Sequence, residues 1–176
     1  NPTTVYGRTK VIGEQLAMAY WSQYNVDIRG IRYPGLISYK APAGGGTTDY
    51  AVEIFSAALE SGSYECFVRE DTRLPMMYME DAIRATLELM DAASDTLGDA
   101  RASYNIAGCS FTAGDLASSI RRHLPDFSCT FVPDVRQNYA DSWPDSIEDD
   151  EARRDWNWAA RFDLESIVDA MIEGLS

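Results

Sequence analysis

Histidine is almost absent from these 176 residues and cysteine is scarce, with one His and three Cys. A lone His123 leaves no room for a metal site of several imidazoles, and a His-based nucleophilic triad is disfavoured. Cys66, Cys109 and Cys129 are far apart and odd in number, so they match neither zinc-ligand spacing nor a disulfide framework. They read as buried or half-buried free thiols in a reducing compartment. No apolar run approaches the ~20 residues that span a bilayer. Basic residues are outnumbered, 15 Lys and Arg against 28 Asp and Glu, giving a net charge of −13. A surface that acidic repels phosphate backbones, so nucleic-acid binding is not expected. The opening residues carry no signal-peptide pattern, and a cytoplasmic protein is expected.

What is present is the composition of one globular unit: 45% hydrophobic and 24% charged residues, with enough chain to bury a core. Residues 3–24 read as a helix with apolar positions on two stripes, which predicts cover from two sides. Val26 to Tyr33 reads as a strand, ended by Pro34 and Gly35. A loop from Ser38 to Thr48 contains Gly44-Gly45-Gly46. A helix follows over Asp49 to Glu60, with Ala51, Ile54, Phe55 and Ala58 on one side. Tyr64–Val68 and Leu74–Met79 read as short strands around a polar turn. Asp81 opens the next helix, whose apolar side takes Ala82, Ile83, Ala85 and Leu89. Ala102–Ala107 reads as a buried strand. Thr112 and Asp115 form a capping box for the helix of Leu116, Ile120 and Leu124. Ser128–Val132 is a further strand. The stretch 133–150 is polar and aromatic, an ordered loop with short helical turns. The last helix starts near Asp163 and places Leu164, Ile167, Val168, Met171 and Ile172 at i, i+3, i+4, i+7 and i+8. Helices mixed with strands set the class as α/β or α+β.

The chemistry-bearing feature is Tyr6-Gly7-Arg8-Thr9-Lys10, a Y-x-x-x-K on a helix. Spacing of four puts both side chains on one face. An ammonium held near a phenol favours the phenolate, which can take a proton from an alcohol or return it. Hydride chemistry on a carbinol needs such a group. Taken alone the motif is weak and reads first as an ordinary surface pair, but here it opens a long helix that is soon followed by a strand ending in Arg32-Tyr33-Pro34-Gly35.

The segment YGRTKVIGEQLAMAYWSQYNVDIRGIRYPGLIS resembles the active-site helix and following strand of the extended short-chain dehydrogenases, the NAD-dependent epimerase/dehydratase family. The segments PAGGGTTDYAVEIF, TRLPMMYMEDAIRATLELM, YNIAGCSFTAGDLA and DSWPDSIEDDEARRDWNW, with Gly35 where sugar-nucleotide members favour Asn, resemble its L-threonine-oxidising branch. The resemblance implies Tyr6 as catalytic acid/base and Lys10 as the residue that holds the nicotinamide ribose. It implies that Tyr33, Pro34, Gly35, Leu36 and Ile37 line the nicotinamide end of NAD. It further implies that Gly46, Thr47 and Thr48 meet the amino-acid substrate and that Trp143 closes over it. The lack of an N–H at Pro34 and the room Gly35 gives backbone to approach a flat ring agree with that; without the resemblance, Tyr33–Ile37 reads equally as a plain strand-ending turn. Gly44–Thr48 then reads as a flexible surface loop ending in a helix cap at Thr48 or Asp49, and Trp143 beside Pro144 as packing. Arg73 falls where the sugar enzymes handle nucleotide phosphate and reads here as structural.

The family's G-x-x-G-x-x-G turn, whose glycines admit the pyrophosphate to a helix N-terminus, does not occur in these residues. The expected fold is therefore the C-terminal part of a Rossmann-like extended short-chain dehydrogenase. Residues 1–40 would supply the rest of the sheet with the catalytic helix, and residues 41–176 mostly the substrate-binding region. The expected function is that of a portion of an NAD-dependent oxidoreductase acting on L-threonine, inactive by itself. A dimer or higher homo-oligomer is expected through the apolar surface left open around Tyr6. The alternatives are a sugar-nucleotide epimerase or dehydratase fragment and a non-catalytic, self-associating remnant.

Overall fold

The computed structural model describes Pro2 and residues 4–176. Its elements in chain order are α1 (Val5–Tyr24), β1 (Ile31–Arg32), β2 (Gly35–Ile37), α2 (Tyr50–Ser61), β3 (Ser63–Cys66), β4 (Arg73–Tyr78) and α3 (Met79–Asp91). There follow β5 (Tyr104–Asn105), β6 (Cys109–Thr112), α4 (Ala113–His123), β7 (Ser128–Phe131), α5 (Arg136–Ala140), α6 (Asp150–Trp156) and α7 (Leu164–Leu175). The chain divides into two compact units, both discontinuous in sequence.

The first unit comprises Asn1–Tyr33, Ile83–Ile106 and Glu148–Ala159. α1 starts at Thr4, whose hydroxyl accepts the Gly7 N–H at 3.1 Å, and stops at Asn25 in the left-handed conformation, a residue that tolerates it. The expected strand from Val26 to Tyr33 shrinks to two residues, which pair in parallel with Tyr104 and Asn105. The preceding residues are tied by side chains instead. Arg29 donates to the carbonyls of Leu89, Met90 and Ala92, closing the C-terminal end of α3, where a cation suits the exposed carbonyls. Asp27 pairs with both Arg29 and the buried Arg101, and Arg101 lies 3.5 Å from the ring centre of Trp21. Tyr104, Ile106, Ala152 and Trp158 are fully or almost fully buried here.

The second unit comprises Pro34–Ala82, Ala107–Ile147 and Ala160–Ser176. Its three-stranded sheet has the order β2-β4-β6, with β2 parallel to β4 and β6 antiparallel to it. β3 pairs in parallel with β7, so the two strands flanking the polar turn of residues 67–72 belong to different sheets. The core joins Ile54 and Phe55 of α2, Leu74 and Met76 of β4, Leu116 and Ile120 of α4, and Ile167, Val168 and Met171 of α7. Of the apolar sides expected for α2, α4 and α7, Ala51, Ile54, Phe55, Ala58, Leu116, Ile120, Ile167, Val168 and Met171 are buried, while Leu124, Leu164 and Ile172 are half-buried. Reciprocal capping boxes, Thr112 with Asp115 and Asp163 with Ser166, start α4 and α7. Among the described residues no helix is long and apolar enough to cross a membrane.

Two expectations need correction. The first strand does stop ahead of Pro34, but Gly35 is not part of its end: β2 begins there and joins the second unit's sheet. Proline donates no hydrogen bond, so the chain leaves one ladder there and enters another. Ile83 is not on the apolar side of α3, being 53% exposed while Ala82, Ala85 and Leu89 are buried. One residue's step turns a side chain by about 100° around a helix, which separates Ile83 from that face.

Candidate active site

Tyr6, Lys10 and Tyr33 lie in the first unit; Pro34–Ile37, Gly46–Thr48 and Trp143 lie in the second. Tyr6 and Lys10 sit in the opening turns of α1, because Thr4 caps the helix just ahead of them. Tyr6 is 71% exposed. The Lys10 ammonium stands 5.1 Å from the Tyr6 ring centre, the meeting expected of an i, i+4 pair. Among the described residues Lys10 has no acidic partner at salt-bridge distance. Its charge remains available to the phenol and to a ligand hydroxyl. Tyr33 is exposed, but its hydroxyl is shared with Thr86 Oγ1 at 2.5 Å.

Of the strand expected to line a cofactor, Pro34 and Ile37 are buried, while Gly35 and Leu36 are half-buried. Ile37 is fully buried in the second unit's core, so it can offer a ligand only its backbone. Gly35 is also set by packing within the protein. A Cβ there would stand 2.5 Å from Met76 Sδ and 2.7 Å from Thr48 Cγ2. The glycine is required by packing, and that packing brings Thr48 against β2.

The glycine loop also differs from a flexible tether. The Asp49 carboxylate accepts the N–H groups of Gly45 and Gly46 at 2.5 and 2.7 Å, and Gly45 has φ +96°, a conformation suited to glycine. Asp49 precedes α2 yet makes no side-chain cap bond to it; its carboxylate reaches back to the loop. Sequence reasoning saw Asp49 only as a possible cap. The signal was an Asp three residues after a glycine run, a spacing that lets a carboxylate fold back onto backbone N–H groups. Thr47 and Thr48 are half-buried, and among the described residues their hydroxyls have no protein partner. Two unengaged hydroxyls on a fixed turn can donate to a carboxylate.

Trp143 is 44% exposed. Its backbone N–H bonds the Ala140 carbonyl at 3.0 Å, and no hydrogen bond joins it to Gly46, Thr47 or Thr48. Arg73 is occupied within the protein, donating to the Ser110 carbonyl and lying 3.8 Å from Asp115. The three thiols are free. Burial pushes Cys66 and Cys109 up to about 11, which leaves neither a nucleophile at neutral pH. His123 ends α4 and faces Asp169 at 3.2 Å.

Residues 1–107 match the NAD dependent epimerase/dehydratase family. The mitochondrial L-threonine 3-dehydrogenase of Bos taurus is 46% identical over 97% of this chain and 46% of its own length. The ligand-free GalE-like L-threonine dehydrogenase of Cupriavidus necator superposes with a TM-score of 0.97 at 53% identity, covering 100% of this chain and 63% of that one. A monomeric L-threonine 3-dehydrogenase from a metagenome gives 0.95 at 55% identity, covering 99% and 56%. The chain thus spans about half to three-fifths of these relatives and corresponds to a C-terminal portion of such longer proteins, with their Rossmann-like α/β fold. With a family match running through α1, β1, β2 and on to β5, the chain belongs to the NAD dependent epimerase/dehydratase family.

Proposed function

We propose that these residues serve an NAD-dependent oxidation of L-threonine at its 3-hydroxyl, giving 2-amino-3-ketobutyrate. The observation that carries the reading is identity of 46–55% with three L-threonine dehydrogenases over 97–100% of the chain. The proposal is made for the protein complete with a nucleotide-binding half of the family's kind. The 176 residues alone are expected to be inactive or nearly so, because the glycine-rich phosphate turn is not among them.

Tyr6 takes the proton of the substrate hydroxyl, with the Lys10 ammonium beside its ring. Lys10 also fits the nicotinamide ribose, since its charge is exposed and bound to no acid. Tyr33, Pro34, Gly35, Leu36 and Ile37 would complete that end of the NAD site, Ile37 through backbone alone. NAD supplies the acceptor for the hydride that leaves the carbinol carbon. The Thr47 and Thr48 hydroxyls, on the turn secured by Gly46 and Asp49, hold the substrate carboxylate, and Trp143 covers its aliphatic part.

The test is NADH formation from L-threonine by the full-length protein. Tyr6→Phe is expected to lower kcat by about 10²–10⁴-fold; full activity in that variant would remove Tyr6 from the role. Turnover of UDP- or dTDP-sugars without threonine oxidation would transfer the site to sugar-nucleotide chemistry. Calorimetric titration of the 176-residue chain with NAD is expected to show no saturable binding.

A further inference from the structure

A polar network joins residues 137–141 to the turn at 69–72, buried at Gln137 and Thr72 and half-exposed at Arg69 and Asp141. Gln137 in α5 is 4% exposed. Its Oε1 accepts the Arg69 N–H at 2.7 Å and the Thr72 hydroxyl at 3.0 Å. Its Nε2 donates to Asp141 Oδ1 at 2.7 Å. The Arg69 guanidinium donates through two nitrogens to the same Asp141 carboxylate, at 2.6 and 3.2 Å. Arg136 lies 3.1 Å from the ring centre of Phe67, and the Asp134 N–H bonds the Phe67 carbonyl. α5 is thereby fastened along its length to the turn between β3 and β4.

The fastening continues to Trp143. Asp141 N–H bonds the Gln137 carbonyl, Ser142 N–H that of Tyr139, and Trp143 N–H that of Ala140, each at 2.9–3.0 Å. The backbone of Trp143 is therefore set by whatever fixes Gln137 and Asp141. Its ring, by contrast, is partly exposed and has no ring or cation partner among the described residues. A large apolar ring on a rigid polar base is what preorganised binding uses, since the ordering cost is met before the ligand arrives. Buried polar groups such as Gln137 and Thr72 are costly unless satisfied, and when satisfied they specify one geometry. These members are all satisfied.

We propose that Gln137, Arg69 and Asp141 are positioning residues for Trp143, a clamp that holds its ring preformed for the aliphatic body of a small amino-acid substrate. This rests on the reading of Trp143 given above. The test is steady-state kinetics with L-threonine on the full-length protein. The variants are Trp143→Ala, Gln137→Met, Arg69→Met, Arg69→Lys and the double variant Gln137→Met with Trp143→Ala, with thermal melts to confirm folding.

Trp143→Ala is expected to raise KM about tenfold, and Gln137→Met and Arg69→Met about fivefold with kcat within about twofold. Arg69→Lys keeps the charge but not the two-pronged geometry, and should fall between wild type and Arg69→Met. Arg69 is half-exposed, so its variants are expected to fold even where Gln137→Met does not. In the Trp143→Ala background, Gln137→Met should add nothing to KM. A raised KM in Trp143→Ala with wild-type KM in Gln137→Met and Arg69→Met overturns the clamp. So does a Gln137→Met effect of equal size with and without Trp143, because a merely structural role is indifferent to the ring. An unchanged KM in Trp143→Ala instead overturns the substrate role of Trp143, and the clamp's purpose with it.

Discussion

At Gly108 a single methyl group would meet the chain itself: a Cβ there would stand 2.3 Å from the Met76 carbonyl oxygen and 3.0 Å from Met77 Cα. At Gly35 the obstacles are side-chain atoms, Met76 Sδ and Thr48 Cγ2, of which Met76 is fully buried but flexible. Backbone cannot give way without moving β4, whereas a thioether can change rotamer. Gly108→Ala is therefore expected to cost about 3 kcal/mol and Gly35→Ala about 1–2 kcal/mol. Thermal melts should show a fall near ~6–12 °C for the first and ~2–8 °C for the second. Equal falls would show that β4 moves as readily as a side chain. Because Thr48 is one of the atoms displaced, Gly35→Ala should also raise the threonine KM of the full-length protein. Neither glycine's reason was legible in sequence. The neighbours of Gly35 are 13 and 41 positions away and those of Gly108 about 31, and only the pairing of β4 with β2 and β6 brings them close. Asp49 is similar: a carboxylate before a helix caps it or folds back, and the shape of the glycine turn decides.

Among the elements, α1 stands apart. Its residues are apolar on two stripes, yet none is buried, and Val5, Ile12, Leu16, Tyr20 and Tyr24 are each at least 50% exposed. The expected two-sided cover is not supplied by the described residues. Apolar surface of that extent drives association. The 176-residue chain is expected to self-associate with rising concentration in sedimentation, and Ile12→Glu with Leu16→Glu to shift it towards monomer. A clean monomer at high concentration would count against this, and one relative 55% identical is described as monomeric. Elements with local signals were readable: the capping box of α4, the start of α7 at Asp163, the face of α2 and the long span of α1. The strands were less so. Two-residue β1 and β5 carry no period, and β6 and α6 gave no signal strong enough to separate them from loop, because their ends are fixed by partners far along the chain.

For the whole molecule, acid is the informative variable. Hydrogen bonds from Arg29 hold Asp27 below the ordinary carboxylate range, and bonds from the Thr112 backbone, Arg69 and Ser166 do the same for Asp115, Asp141 and Asp163. A carboxylate whose folded value is depressed adds stability above its unfolded value, near ~3.9, and loses it as pH falls through the lower folded value. Melting temperature should hold from neutral pH to about pH 5 and fall steadily below about pH 4. A flat or rising profile below about pH 4 would mean that these bonds stabilise the folded state no more than water does.

The sequence by itself carried the family resemblance, in segments spread along the chain. It also determined the Tyr6–Lys10 pair, the starts of α4 and α7 and the main buried helix faces, each of which depends on residues within a few positions of one another, where spacing alone sets geometry. Tertiary structure decided the rest. It divided the chain into two discontinuous units, shortened one expected strand to two residues, and started another strand in a different sheet just past Pro34. It turned the glycine run into a turn held by Asp49, and it fastened α5 to the turn before β4 through Gln137, Arg69 and Asp141. Those features join residues up to about seventy positions apart, and hydrogen bonds and packing over such distances exist only once the chain has folded.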